Sequence, residues 1–552
     1  MRKIQYSFLA LVILLGGFLR LYGLSRSPAS LNWDEAAWGY NAYSISQLGR
    51  DEYGKFLPIF TRSFDEYKST LPLYLMIPSI KVFGLNEVGV RLPSALLGTL
   101  SIFLIFFLSL QIFKKNSIAL VSAFVFAIEP WSVHLSRVYH DANEALFFLL
   151  LGLLLFLYSK SKPYLLIVAV LSFMISMYTY NANKVLVPLI LVGLFFKHKK
   201  DLTKYPKVPL SLSACILAIF TSAFLFLALK GEALARVGST NIFIFWPVTP
   251  FLNSLIEQHS ANGIWGIFLH NKLFYFLGEA GGRYLAYFSP PNLFLREPQE
   301  PATILAGNSI FHPFEFIPWV VGLAYLFKSI KKYKELIFII IVAPVPAMLT
   351  WNWFQPGRTM ALFAVFSMLV GVGVVFLIDH LSHAIKRDIY SKIAKKLGFF
   401  IFGFYGLLAA FYLFDSLHVY LPFRDSGNWQ PGFRETVPVV MKYESKYSQV
   451  IIETGHGQPY IFYLFYGQYP PGRYLKELDL QKIGKPRKSF DFGKFTFKKI
   501  YWPVDRSLKN TLFIGSEENL PQKDVENQPG AKVLKIVKNS RGDVQAKIVA
   551  IE

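Results

Sequence analysis

Leu31-Asn32-Trp33-Asp34-Glu35-Ala36-Ala37-Trp38 sets two adjacent carboxylates between tryptophans, inside a polar stretch that runs from Ser25 to Val90. Before it lies an apolar run, Tyr6 to Leu24, long enough to cross a bilayer. Tryptophan concentrates where hydrocarbon meets water, so the acids are expected at a membrane surface, where they would form the floor of a site.

The rest of the chain agrees with a membrane setting. Of 552 residues, 53% are apolar and only 17% charged, and the mean hydropathy is +0.38, values wrong for a soluble chain of this length. The net charge of +22 comes from basic residues placed between apolar runs. They are not gathered into a patch interleaved with aromatics, which argues against nucleic acid as a partner. The single cysteine, Cys215, lies in an apolar run, which excludes an intramolecular disulfide and a cysteine-based metal site.

Eleven apolar segments, from Tyr6–Leu24 to Leu397–Phe414, are candidate membrane spans. Lysines cluster in alternate short loops: Lys114 and Lys115, Lys160 and Lys162, Lys197 to Lys207, Lys328 to Lys334, and Lys386 to Lys396. By the positive-inside rule these mark the cytoplasmic side, together with Arg2 and Lys3. No small-residue cleavage site follows the first run, so it reads as a retained helix with a cytoplasmic N-terminus. Leu71–Phe83 is apolar but has only thirteen residues and contains Pro72 and Pro78. It is expected to lie in the interface as an amphipathic helix of the first outer loop, 25–90.

A second outer loop, 230–312, has aromatic and proline clusters, among them Phe243 to Trp246 and Ser289-Pro290-Pro291, that suggest short interfacial helices. Beyond Phe414 the pattern changes to glycines, polar residues and short apolar alternations such as Val450-Ile451-Ile452-Glu453 and Thr511-Leu512-Phe513-Ile514. Lys532 to Ile551 reads as two strands around Asn539-Ser540-Arg541-Gly542. The expected organisation is therefore a polytopic α-helical membrane domain over 1–415 and a small extracytoplasmic α/β domain over 416–552.

Asp34 and Glu35 point in different directions from adjacent positions, so one can act while the other holds position. A carboxylate partly desolvated by Trp33 and Trp38 could serve as a general base; the same pattern also fits a solvated loop acid. Arg137 precedes a second acidic group, Tyr139-His140-Asp141-Ala142-Asn143-Glu144. Asp141 and Glu144 at helical spacing could share a cation, or could cap and favour a helix N-terminus. Arg358, at the mouth of a span, suits a phosphate at the bilayer surface because its guanidinium is a fork. Lys68 is a weaker candidate of that kind, and Arg283, after Gly281-Gly282, could bind an anionic lipid or a donor.

These residues resemble the GT-C glycosyltransferases, and within them the protein O-mannosyltransferase and aminoarabinose transferase branch (glycosyltransferase family 39). The resemblance rests on Trp33-Asp34-Glu35 after the first span, Lys68 to Leu73, Phe83-Gly84-Leu85-Asn86-Glu87, Arg91-Leu92-Pro93-Ser94-Ala95, and Ser136-Arg137 to Asp141. It implies a GT-C fold of about eleven transmembrane helices in the plasma membrane. It also implies a polyprenyl-phosphate sugar as donor and inverting transfer to a hydroxyl on an acceptor protein, lipid or glycan of the cell envelope. Asp34 would be the base with Glu35 beside it, Asp141 the second acidic position, and Trp33, His140 and Glu144 substrate neighbours. Lys68, Arg137, Arg283 and Arg358 would face the donor phosphate. A divalent metal on Asp34 and Asp141 would follow from the oligosaccharyltransferase relatives, although His140 and Glu144 here replace a strict DxD.

A lipid or glycan flippase is the competing class. Transporters carry ionisable residues near mid-span and broken helices in repeated halves. Here the acids fall in outer loops and no internal repeat is present, which favours the enzyme.

Overall fold

In the computed structural model the acidic stretch opens a helix rather than an open loop. The structure describes residues 2–552 except 65, 236–239, 243–247, 261–262, 270, 299–304, 306, 386, 425–428, 456 and 479–489; Phe243 to Trp246 and Lys386 thus lie outside the described residues. The chain divides into two compact units, one of residues 1–21, 94–136 and 140–414, the other of residues 22–93, 137–139 and 415–552. The polar stretch 25–90 belongs to the same unit as the C-terminal part.

The larger unit is helical. It holds α1 (Arg2–Leu21), most of α4 (Glu87–Phe113), α5 (Asn116–Ile128), α6 (Pro130–Arg137) up to Ser136, and α7 (Asp141–Ser159). It continues through α8 (Leu165–Thr179), α9 (Asn183–Leu202), α10 (Lys207–Leu229) and the later helices to Phe414. Among the described residues five helices are long and apolar enough to cross a membrane, or six when the pair α5 and α6 is taken as one bent span. The eleven spans expected from hydropathy are therefore not all present as long helices. Several are short: α8 has 15 residues, and the segment after Lys334 breaks at Pro344 into helices of 9 and 4 residues. α10 buries little beyond Pro209 and Ser213 and exposes Leu212, Leu217 and Ile219, as a lipid-facing helix should.

The 55° bend between α5 and α6 shows how this unit handles a broken helix. Pro130 has no N–H to give, so carbonyls in the preceding turn lose their partners. Arg20 supplies replacements from α1, donating to Ala127 O (2.8 Å), Phe126 O (3.2 Å) and Ser132 Oγ (2.7 Å). Elsewhere helices meet through glycine: a Cβ on Gly322 would strike Leu369 O and one on Gly373 would strike Pro318 O, the small-residue packing membrane bundles use.

The second unit contains α2 (Trp33–Leu48), the antiparallel pair β1 (Phe60–Ser63) and β2 (Glu66–Ser69), and α3 (Leu71–Phe83). Its sheet has the order β4-β3-β5-β7-β6, from β3 (Gln449–Ile452), β4 (Phe495–Phe497), β5 (Thr511–Gly515), β6 (Ala531–Lys538) and β7 (Val544–Ile551). β4, β3 and β5 run parallel, and β7 is antiparallel to β5 and β6. The expected strand pair over 532–551 is present, turning through Asn539 to Asp543. Alternate residues serve two cores: Val450, Ile452, Leu512 and Ile514 pack with α2 and α3, while Ile451 and Phe513 pack with Trp502 and Leu520. α3 is the helix expected at Leu71–Phe83, and it buries Leu73, Met76 and Ile80.

Candidate active site

α2 begins where the sequence supplies every part of a helix start. Asn32 is the N-cap, its side chain accepts from Glu35 N (2.9 Å), and the Glu35 carboxylate accepts in return from Asn32 N (3.1 Å). Asp34 and Glu35 then occupy the first turn, where the exposed N–H groups favour negative charge.

Their environments differ sharply. Glu35 is fully buried, and its carboxylate accepts from Arg91 Nε (2.8 Å), Arg91 Nη2 (3.0 Å) and Tyr139 N (3.0 Å) besides Asn32 N. Arg91, equally buried, gives its remaining donors to Leu24 O, Pro28 O and Ser30 O. The pair thus ties the chain after α1 to the head of α2. Asp34 instead leaves 43% of its side chain exposed and is ion-paired with Lys68, itself 6% exposed. The Lys68 ammonium also sits 5.1 Å from the Trp38 ring centre and 5.0 Å from that of Phe64. An ammonium in contact stabilises the carboxylate anion, the form a base must have.

Arg137 is spent on structure. It is fully buried and donates to Tyr22 O (2.8 Å) and Ser27 O (2.9 Å), so its guanidinium closes the turn after α1 and does not fit the phosphate-binding role read from sequence. Glu52, which sequence reading passed over, is buried and joins Asn41 (3.0 Å) to the Tyr460 hydroxyl (3.2 Å). The Tyr466 hydroxyl, 3.0 Å from Glu87 Oε1 and 2.9 Å from Ser30 Oγ, is pushed to a higher pKa by burial, with the Glu87 carboxylate adding to the shift. Burial likewise raises the Asp51 carboxyl, against bonds from Thr61 and the N–H groups of Lys55 and Tyr53.

The helical unit assembles the other candidates. His140 caps α7, accepting from Ala142 N (3.2 Å), with Asp141 Oδ1 3.4 Å from its Nδ1. Asp141 and Glu144 are both buried in the first turn of α7. The turn Pro356–Thr359 lies against this helix start, since a Cβ on Gly357 would come within 3.2 Å of the His140 ring. Arg358 in that turn bonds Thr350. Arg283 bonds Glu279 and Trp351 O (3.3 Å) and stacks 5.0 Å over the Trp353 ring. Arg283 and Arg358 therefore bracket one segment, 350–358, and Arg283 already carries a counter-charge. Among the described residues no three or more His, Cys, Asp or Glu side chains gather as metal ligands, and Lys68 takes the place beside Asp34 that a cation would need. Of the two residues on which the resemblance places a metal, Asp34, ion-paired with Lys68, belongs to one unit and Asp141 to the other.

The model of the dolichyl-phosphate-mannose-protein mannosyltransferase family matches residues 68–226, less than a third of the chain. Comparison with curated proteins by sequence finds no match. Among solved structures, the archaeal oligosaccharyltransferase AglB from Archaeoglobus fulgidus, in complex with an inhibitory peptide and a dolichol-phosphate, is 15% identical with a TM-score of 0.49. The match covers 82% of this chain but spans only 62% of that one. ArnT from Cupriavidus metallidurans bound to undecaprenyl phosphate is 12% identical with a TM-score of 0.54, covering 98% of this chain and 97% of that one; its apo state gives 0.53. Over nearly its whole length, then, this chain is a polytopic helical membrane protein with the fold of ArnT, the GT-C architecture to which Trp33-Asp34-Glu35 and its companion motifs pointed.

Proposed function

We propose that the chain is an integral membrane glycosyltransferase that moves a sugar from a polyprenyl-phosphate donor onto an acceptor hydroxyl, with inversion at the anomeric carbon. The observation that carries this reading is the division of labour at the head of α2: one buried carboxylate locked to Arg91, and beside it a half-exposed one held by Lys68. Asp34 takes the acceptor's proton, the acceptor oxygen attacks the anomeric carbon, and the bond from that carbon to the phosphate oxygen breaks. Glu35 holds Asp34 in place. Lys68, Arg283 and Arg358 are the cations assigned to the donor phosphate, which gains charge as it leaves. His140, Asp141 and Glu144 are assigned to substrate contact. No step is routed through a metal.

The deciding assay offers the purified protein two donors. Transfer is expected from a polyprenyl-phosphate sugar and not from a nucleotide sugar, and the opposite pattern would end the assignment. In the same preparation Arg358→Ala should weaken donor binding by about 2 kcal/mol or more, the scale for removing one partner of a desolvated charge pair. Unchanged donor affinity would remove Arg358 from the clamp.

The proposed topology puts the lysine clusters in the cytoplasm, and both large loops and the C-terminal domain outside the cell. With Cys215 replaced by serine, an impermeant thiol reagent applied to whole cells should label Thr240→Cys and not Lys331→Cys. Labelling at position 331 alone would invert the arrangement.

A further inference from the structure

A cleft of about 560 Å³ opens within the second unit where the parallel strands β3 and β5 end. Open α/β sheets place their ligands at this edge, beyond the carboxyl ends of the strands. One wall is Glu453, Gly455 and Gly457 after β3, another Gly515-Ser516 after β5, and a third the start of the helix Pro431–Tyr443. The last is Trp33, the residue next to Asp34, whose Cα lies about 3.8 Å from its own.

We propose that this cleft holds the acceptor and that the acceptor is a neutral glycan; the inference rests on the glycosyltransferase reading above and names its acceptor class. Three features point there. Trp33 is 41% exposed and offers a flat apolar surface on which the C–H face of a sugar ring can stack. The polar side chains around it are amides, hydroxyls and one acid, namely Gln430, Gln545, Thr436, Ser516 and Glu453, with no lysine or arginine among the described lining residues. Such groups suit vicinal hydroxyls, whereas a phosphate would call for cations. Finally, the Thr436 hydroxyl, in a residue 1% exposed, and the Oε1 atom of Gln430 are buried atoms with no hydrogen-bond partner among the described residues. Buried polar atoms are rarely left unsatisfied, and two on one cleft wall mark where a ligand's hydroxyls bind.

Gly457 keeps the platform open. It sits at φ +76°, and a Cβ there would run into Gln430 Nε2 and come within 2.8 Å of the Trp33 ring.

The test uses the full chain in lipid nanodiscs, with mannotetraose and cellotetraose as probes, read by saturation-transfer NMR and titration calorimetry. At least one tetrasaccharide should bind. Trp33→Ala and Gln545→Ala should each weaken it about tenfold or more, a loss of roughly one hydrogen bond or stacking contact. Thr436→Val, which keeps shape and removes the hydroxyl, should weaken it in the same direction, and thermal unfolding of each variant reports whether the fold survives. The inference is overturned if neither tetrasaccharide binds, if Trp33→Ala and Gln545→Ala fold and bind as the wild type does, or if a serine-containing peptide binds in a Trp33-dependent way instead. Polyprenyl phosphate binding by the same wild-type sample separates the two readings. Lipid bound without glycan removes only the acceptor assignment; glycan bound without turnover of any lipid-linked sugar leaves the cleft assigned and removes the reaction.

Discussion

Asp34→Asn is expected to lower turnover about 100-fold or more, the usual scale for a lost general base. Asparagine keeps the size of the side chain and can still accept a hydrogen bond, but it cannot take the acceptor's proton. The substitution also removes the counter-charge of Lys68, which is 6% exposed. Some of that loss is softened by the Trp38 and Phe64 rings beside the ammonium. Turnover should therefore be measured well below the unfolding temperature, with donor binding followed in parallel. Affinity for the lipid donor should not fall, because Asp34 acts on the acceptor and its loss leaves the Lys68 ammonium to the donor phosphate. Near-normal turnover would show that the base lies elsewhere, with Asp141 the next residue to replace.

The long apolar segments were readable because a membrane span is a composition before it is a structure. Glu87–Phe113, Asp141–Ser159, Lys207–Leu229, Pro356–His383 and the helix from Asp388 all stand where hydropathy placed a span. The shorter ones were less readable, since hydropathy does not register the break at Pro130 or the one at Pro344. The C-terminal strands other than β4 were readable from alternation alone, and the alternation is real: Ile451 faces one core and its neighbours Val450 and Ile452 the other. β1 and β2 gave no such signal, because Phe-Thr-Arg-Ser and Glu-Tyr-Lys-Ser mix polar residues on both faces.

At the site, sequence could separate Asp34 from Glu35 but not assign their partners. Arg91 is 56 residues from Glu35 and Lys68 is 34 from Asp34, distances over which neither spacing nor charge pattern carries information. Arg137 misled for a related reason. A lone arginine in an outer loop suggests a phosphate ligand, but the chain around Tyr22 to Ser27 leaves carbonyls without partners, and this guanidinium fills them. A charged residue at the head of an apolar run, as Arg91 is, was the one available hint of a buried pair.

That pair makes Glu35→Gln the substitution with the largest expected effect on folding. Glutamine keeps one oxygen, which can accept from Asn32 N or from Tyr139 N in place of the two oxygens that serve them now, and it leaves the Arg91 guanidinium, at 0% side-chain exposure, without its paired carboxylate. Breaking a buried ion pair from one side costs about 3 to 5 kcal/mol, because the surviving charge stays buried and uncompensated. Arg91→Met should cost a similar amount, since it strands the carboxylate. The double variant should lose much less than the sum of the two, since no lone charge remains. Thermal unfolding of the two singles and the double in one detergent checks this. Additive losses, or a single variant as stable as the wild type, would show that the pair does not hold the loop. Activity gives the complementary readout: in Glu35→Gln it should fall in step with the folded fraction, whereas Asp34→Asn should lose turnover in a protein that remains folded at the assay temperature. Loss of turnover in fully folded Glu35→Gln would instead give Glu35 a part in the chemistry itself.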